Sequence, residues 1–317
     1  MPTTRASGER FRLGVGACTV EIEALGPRWV RAASALAFAW RQEEGGPAAG
    51  RICLGFDPGP PPPGAAQLLD DDVRLWTTAP APYLIARGVH IRMADSETVI
   101  VDGHATSARL ALDTALPASL GWILAGAGRW VVHAAALVPG SDVGAVLALG
   151  DTGAGKSTTA AAALHAGWPV LADDLVVLRC GENGAEARGI PKSLWIPEEL
   201  GTVRSGGIAA AVDAIRGRRE IKTALARGWF PIRAVIVLAH GDAPDTTVER
   251  IDAIEAMRSL WSAHIPASIP SRLERWFPVA GRLARLPAWR MSLGAKAASR
   301  LSTTAQALAT LTASASG

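Results

Sequence analysis

In the second half of the chain, solid apolar runs alternate with alanine-rich or amphipathic stretches. In the first hundred residues, short apolar runs are bounded by turn residues. The first pattern predicts buried strands alternating with helices, and the second predicts a set of short strands. In the N-terminal part the strand candidates are Phe11–Val15, Trp29–Arg31, Val73–Thr77, Tyr83–Ala86, Val89–Met93 and Thr98–Val101, with turns at Gly88 and Ala94–Glu97. Asp57–Gly64 holds five prolines and two glycines and is predicted as a loop or polyproline spacer, because proline lacks the N–H that helix and sheet need.

The second half begins with a helical stretch over 106–128, expected as two helices with Pro117 in the first turn of the second. Next come a strand over Trp130–Val138, a turn at Pro139–Asp142 and a strand over Ala145–Leu149. A helix is predicted over Ser157–Ala166, with Gly167 as the residue that ends it. Pro169–Leu178 reads as one buried strand interrupted by Asp173 and Asp174, and 187–230 as turns with charged helix. A core strand at Ala234–Ala239, a helix at Ala253–Trp261, a last strand at Trp289–Leu293 and a closing helix at Ala297–Leu311 complete the pattern, with a loose tail from Thr312. The expected fold class is α/β, with a small, mostly β module over 1–105 and an α/β domain over 106–317.

The junction of strand and helix at Leu149–Ser157 changes the picture most. Gly150-Asp151-Thr152-Gly153-Ala154-Gly155-Lys156-Ser157-Thr158 satisfies G-x-x-x-x-G-K-[ST] and lies between a predicted strand and a predicted helix, the context a phosphate-binding loop requires. Glycines let the backbone curl so that its N–H groups point at phosphate oxygens, and the helix adds the positive end of its dipole. Lys156 is placed to reach the outer phosphates of a nucleoside triphosphate such as ATP, and the Ser157 hydroxyl to ligate Mg²⁺.

Asp173 and Asp174 follow Lys156 by 17 and 18 residues, after one helix and one strand. That places them at the end of a strand beside the loop strand, near the outer phosphate. Two carboxylates inside an apolar run are costly unless used, so one is expected to serve a metal and the other to accept a proton. His133 stands inside the apolar strand Trp130–Val138, which is expected to form a hairpin with the strand entering the loop.

Composition excludes more than it assigns. The 317 residues are 49% hydrophobic and 19% charged, enough for a sizeable core and unlike a disordered chain. The net charge is +3, and 28 of the 32 basic residues are arginine, with no dense basic run or interleaved aromatic platform for nucleic acid. Three widely spaced cysteines, Cys18, Cys53 and Cys180, fit neither a disulfide framework nor a zinc site and suit a reducing cytoplasm. The polar N-terminus gives no expectation of a signal peptide. The most apolar window, Leu110–Gly128, contains Asp113 and Pro117 and is expected to pack in a core, not in a membrane.

The string Val132-His133-Ala-Ala-Ala, then a strand, Gly150–Ser157, a helix, Gly167 and Leu171-Ala-Asp-Asp174 resembles the catalytic core of the HPr kinase/phosphorylase family, over about residues 118–180. It also resembles that family's relatives that phosphorylate serine in ribosomal peptides, including lasso-peptide precursors. The resemblance implies a P-loop kinase core of the HPr kinase/PEP carboxykinase-like type, with ATP and Mg²⁺ and a serine-bearing peptide or small protein as acceptor. It implies that His133 lies near the transferred phosphate and that Lys156 binds the β- and γ-phosphates. Ser157 and Asp174 would serve the metal, and Asp173 would be the base for the acceptor serine. The bifunctional members are oligomeric, which leaves a homo-oligomer open. Their Glu-Ile-Arg-Gly signature differs here: Glu186-Ala-Arg188-Gly189-Ile190 stands closer to the Asp pair and is followed by Pro191-Lys192. The layout is nearer to the peptide-modifying relatives. A bifunctional HPr(Ser) kinase/phosphorylase, or a nucleotide-binding regulatory module without transfer, are the alternatives. Arg204, Arg216, Arg218, Arg219 and Lys222 are candidates for a lid or for acceptor binding, Glu186 for a further metal ligand, and His264 for a structural role.

Overall fold

The computed structural model describes residues 8–40, 45–70, 72–77, 81–103, 108–139, 144–181, 184–190, 194–197, 211–213, 218–221, 226–264, 270–294 and 301–315. The fold is mixed α/β, with two large mixed sheets, a small third sheet and six helices among the described residues. The chain divides into two compact units, one of Met1–Val131 with Ile265–Arg275, the other of Val132–His264 with Trp276–Gly317.

The first unit is built on β1 (Glu9–Val15), β2 (Cys18–Ala24), β3 (Ala48–Leu54), β4 (Gln67–Asp70), β5 (Val73–Trp76), β6 (Tyr83–Ala86), β7 (Val89–Met93) and β8 (Thr98–Gly103). These form one sheet in the order β1-β2-β3-β8-β7-β6-β5-β4. β2, β3 and β8 run parallel and the remaining neighbours antiparallel. Helix α1 (Pro27–Trp40) supplies the crossover between parallel β2 and β3. It replaces the expected strand at Trp29–Arg31. Trp29, Ala33 and Trp40 are buried at helical spacing, while Arg31 is exposed.

Helix α2 (Ala108–Gly126) packs on β3, β7 and β8. It is one helix, not two, and continues through Pro117. Proline inside a helix costs about 3 kcal/mol. Here burial of Leu112, Ala115, Leu116, Leu120, Trp122, Ile123 and Leu124 offsets that cost. Arg272, 8% exposed, donates to the Trp122 carbonyl near the end of α2 and to the Ser96 carbonyl at 2.8 Å. The Asp57–Gly64 loop is without helix or strand, as expected. Its Gly59 carbonyl accepts from the Tyr83 hydroxyl at 2.8 Å and its Gly64 carbonyl from the Trp76 indole at 3.2 Å. No helix among the described residues is long and apolar enough to cross a membrane. Cys18, Cys53 and Cys180 are free thiols.

The second unit centres on three parallel strands, β10 (Ala145–Leu149), β17 (Phe230–His240) and β19 (Ala288–Leu293). Antiparallel β9 (Trp130–Leu137) flanks β10, and antiparallel β18 (Thr247–Arg250) flanks β19. The hairpin of β9 with β10 is as expected. Beyond β9 come β11 (Val170–Ala172), β12 (Leu175–Gly181) and β13 (Gly184–Gly189), and β13 returns to β17. The run Pro169–Leu178 is thus two strands with Asp173 and Asp174 in the bend between them. They lie beside β9, not beside the loop strand β10.

Helices α3 (Lys156–His165) and α6 (Leu301–Ala315) share one core with Ala148, Ile236, Leu238, Met291 and Leu293. Four consecutive buried alanines, Ala160 to Ala163, let α3 lie close to the sheet. Gly167 follows α3 with φ 79°, as its place in the sequence suggested. Helix α4 (Ala253–Ala263) starts at an Asp252 cap bonded to the N–H groups of Ile254 and Glu255, and α5 (Pro270–Ala284) follows it. The tail expected to be loose from Thr312 is helical to Ala315.

Within 187–230 the described pieces are strands, not charged helix. β14 (Leu194–Pro197), β15 (Ala211–Asp213) and β16 (Arg218–Ile221) form the third sheet, and Arg218 and Arg219 belong to β16. Arg204, Arg216 and Lys222 lie outside the described residues. Glu186 is on β13 opposite Arg179 of β12, and the two form an ion pair at 2.6 Å.

Gly189, at the end of β13, packs its Cα against the Leu171 carbonyl, and a Cβ there would overlap that oxygen. Backbone cannot rotate away as a side chain does. Gly189→Ala is therefore expected to cost about 3 kcal/mol, read as a lower urea midpoint at constant slope.

A candidate phosphate-transfer site

One end of the second unit's sheet gathers the chemistry-bearing residues. The all-buried strand β10 runs into Gly150, the loop turns through Gly153 and Gly155, and α3 begins at Lys156. Gly155 has φ 100°, and a Cβ on it would overlap Leu293 at the end of β19. The positive φ calls for glycine there, and a Cβ would in addition have to displace the tip of the Leu293 side chain. Asp151, Thr152 and Gly153 are exposed, Ala154 is buried and Thr158 is half-buried.

Lys156 is 6% exposed, and its ammonium donates to the carbonyls of Gly150 at 2.6 Å and Asp151 at 2.9 Å. Burial pulls its pKa below the usual lysine value, while Asp174, Asp151 and Asp173 oppose that shift. The cation is held at the mouth of the loop by carbonyl dipoles and three carboxylates.

Across from the loop, the β11–β12 bend presents the acid pair. Asp173 is 6% exposed and accepts from the Ser157 hydroxyl at 3.4 Å. Asp174 is half-buried and lies 3.1 Å from Nε2 of His133. A carboxylate accepts, so Nε2 of His133 carries the hydrogen. The Ala134 N–H donates to the Asp174 carbonyl at 3.1 Å, which ties the bend to β9 just beside His133. The two carboxylates thus have different partners: a hydroxyl from α3 for one, an imidazole from β9 for the other.

The loop motif and the acid pair pointed to Lys156, Ser157, Asp173 and Asp174, the family resemblance added His133, and the fold brings the five to one place. Glu186 is tied to Arg179 on the β12–β13 hairpin. Among the described residues, no group of three or more His, Cys, Asp and Glu side chains is gathered to hold a metal. Mg²⁺ needs no such group, because it keeps waters and commonly uses one or two protein oxygens with substrate phosphates. Ser157 and one carboxylate meet that requirement.

Two residues not anticipated from sequence complete the site. His240 ends β17, and its Nε2 lies 2.6 Å from the Gly153 carbonyl. Leu293 ends β19 beneath Gly155. The available signal was position: both are last residues of parallel core strands, where open α/β sheets bind ligands.

His264, expected to be structural, caps the C-terminus of α4 and forms an antiparallel bridge with Val132, the residue before His133. Its ring stacks on Trp276 at 4.5 Å between centroids. It is 7% exposed, and burial lowers its pKa from 6.5 to about 4. The unfolded chain binds this proton more tightly, so the native stability is fully present above pH 6.5 and is lost as pH falls toward 4. The expected loss from this group is about 3 kcal/mol. His264→Phe keeps the stack and should flatten that part of the profile when urea midpoints are compared at pH 7 and pH 4.5.

No protein-family model matches the chain, and no curated protein matches it.

Proposed function

We propose that the chain is an ATP- and Mg²⁺-dependent serine kinase that phosphorylates a peptide or small protein, in the manner of the peptide-modifying relatives of HPr kinase/phosphorylase. The observation that carries this reading is the meeting of Lys156 and Ser157 with Asp173, Asp174 and His133 at one end of a parallel sheet. A ribosomal precursor peptide, lasso precursors included, is the acceptor class the resemblance favours, and a cytoplasmic setting goes with it.

When bound, Mg-ATP supplies the phosphoryl group and the metal charge that neutralises it. The chain's own residues do the rest. The loop N–H groups and Lys156 hold the phosphates, and Ser157 with one carboxylate holds the metal. The acceptor hydroxyl gives its proton to the other carboxylate as its oxygen forms the new P–O bond and the bond to the leaving diphosphate breaks. His133 donates to Asp174 and fixes its orientation beside the phosphate.

The family pattern assigns Asp173 as base and Asp174 to the metal. The 3.4 Å contact of Ser157 with Asp173 favours a second reading, in which Asp173 shares the metal with Ser157 and Asp174, oriented by His133, faces the acceptor.

The test is mass spectrometry of serine-bearing peptides, including any encoded beside this chain, after incubation with the protein, ATP and Mg²⁺. A gain of phosphate that disappears on substitution of the acid pair supports a peptide kinase. Bound ATP with no gain on any peptide or carrier protein supports a non-catalytic nucleotide module, and loss of phosphate to inorganic phosphate supports a bifunctional kinase/phosphorylase.

A further inference from the structure

The tip of the glycine-rich loop has little to hold its shape. Gly153 has φ 89°, and no atom lies within 4 Å of where its Cβ would be. Glycine peptides of this kind sample many conformations, and only a fraction of them aim the N–H groups inward. Two hydrogen bonds act on the one peptide plane at this point. The Ala154 N–H donates to the Asp151 carbonyl at 3.0 Å, and the Gly153 carbonyl lies 2.6 Å from Nε2 of His240. A carbonyl only accepts, so Nε2 is the donor. The plane between Gly153 and Ala154 is thereby gripped at both edges.

The imidazole comes from a firm base. His240 is opposite Leu293 in the β17–β19 ladder, and the Gly241 N–H donates to the Leu293 carbonyl at 2.9 Å. Leu293 in turn fills the space under Gly155. Lys156 secures the start of the loop through Gly150 and Asp151, and His240 secures its tip.

We propose that His240 is a positioning residue that presets the loop for the phosphate chain of a nucleotide. This inference rests on the nucleotide-binding part of the proposed function. His240 acts through the backbone and not on the phosphates, so its removal lowers the fraction of loops in the competent shape. Apparent affinity falls by that fraction. Loss of one hydrogen bond corresponds to about a five- to tenfold change.

Titration calorimetry with MgATP on the full chain, His240→Ala and His240→Gln tests it. Glutamine places an amide nitrogen near the position of the ring Nε2 and can donate to Gly153. The alanine variant is expected to raise the Kd for MgATP about five- to tenfold and to lower the nucleotide-free melting temperature by only about 1–3 °C, the worth of one exposed hydrogen bond in a chain of this size. The glutamine variant is expected to recover most of the affinity. An unchanged Kd in His240→Ala, with the wild type binding normally, overturns the inference and leaves the proposed function standing. So does a loss that glutamine fails to recover, or an alanine variant whose melting falls far beyond the worth of one hydrogen bond. A wild type that does not bind MgATP overturns both.

Discussion

Asp173→Asn is expected to keep Mg-nucleotide bound and to lose phosphoryl transfer by about 10²- to 10⁴-fold. Asparagine has nearly the same shape and can still take part in a hydrogen bond with the Ser157 hydroxyl, so the 6%-exposed pocket stays filled. What is lost is the negative oxygen that takes a proton or completes the metal's charge. Asp174→Asn, measured beside it, separates the two readings of the acid pair. A variant missing a metal ligand regains activity as Mg²⁺ is raised; a variant missing the base does not. If Asp173 is the base, only Asp174→Asn responds to added Mg²⁺. If the Ser157 contact marks Asp173 as the metal-side carboxylate, the response moves to Asp173→Asn. Full activity in both variants would sink the kinase assignment.

Lys156→Met should abolish useful nucleotide binding while leaving the fold at least as stable. The ammonium offers three charge-assisted donors, and losing those directed at phosphate weakens binding about 100-fold or more. Stability goes the other way because burial disfavours the cation in the native state, as the lowered pKa of Lys156 indicates. The native chain releases this proton more readily than the unfolded chain. The charge therefore opposes folding at neutral pH, and the penalty fades only as pH rises toward the unfolded value. Methionine fills the same stem volume without that charge, and it leaves behind the carbonyls of half-buried Gly150 and exposed Asp151 for water to satisfy. Calorimetry with MgATP and a urea melt on one preparation check the two halves. A normal Kd would remove Lys156 from the site, and a collapsed urea midpoint would show that its role is structural.

The candidate site was the most legible part of the chain because local sequence determines most of it. The β10–loop–α3 unit follows from an apolar pentad, three glycines and an alanine-rich stretch. His133 came within reach through the hairpin of β9 with β10, a connection short enough to read directly. The errors share a cause: which segments pair is decided by contacts distant in sequence. The acid pair was placed beside β10, yet β9 intervenes, since antiparallel β9 can accept β10 on one edge and β11 on the other. Trp29-Val30-Arg31 has the residue types of a strand. Only the wider spacing of Trp29, Ala33 and Trp40, with Pro27 as the first helical residue, reveals α1. Pro117 suggested a break that burial along α2 overrides. Glu186 is a candidate metal ligand from sequence alone, because its strand partner Arg179 comes into view only with the β12–β13 pairing. His240 follows the apolar run Ala234–Ala239, and its one signal was that place at the end of a core strand.

The position of Arg272 has a consequence for the order of synthesis. Its guanidinium satisfies the Trp122 carbonyl near the end of α2, yet it follows that residue by 150 positions. At ribosomal rates of 5–20 residues per second, roughly 8 to 30 seconds pass between the two. Throughout that interval the first unit lacks a piece that arrives only after most of the second has emerged. A nascent chain arrested before residue 272 would keep α2 without its clasp, however complete its own sheet. An N-terminal unit cut out at residue 131 would carry the Trp122 carbonyl without this donor.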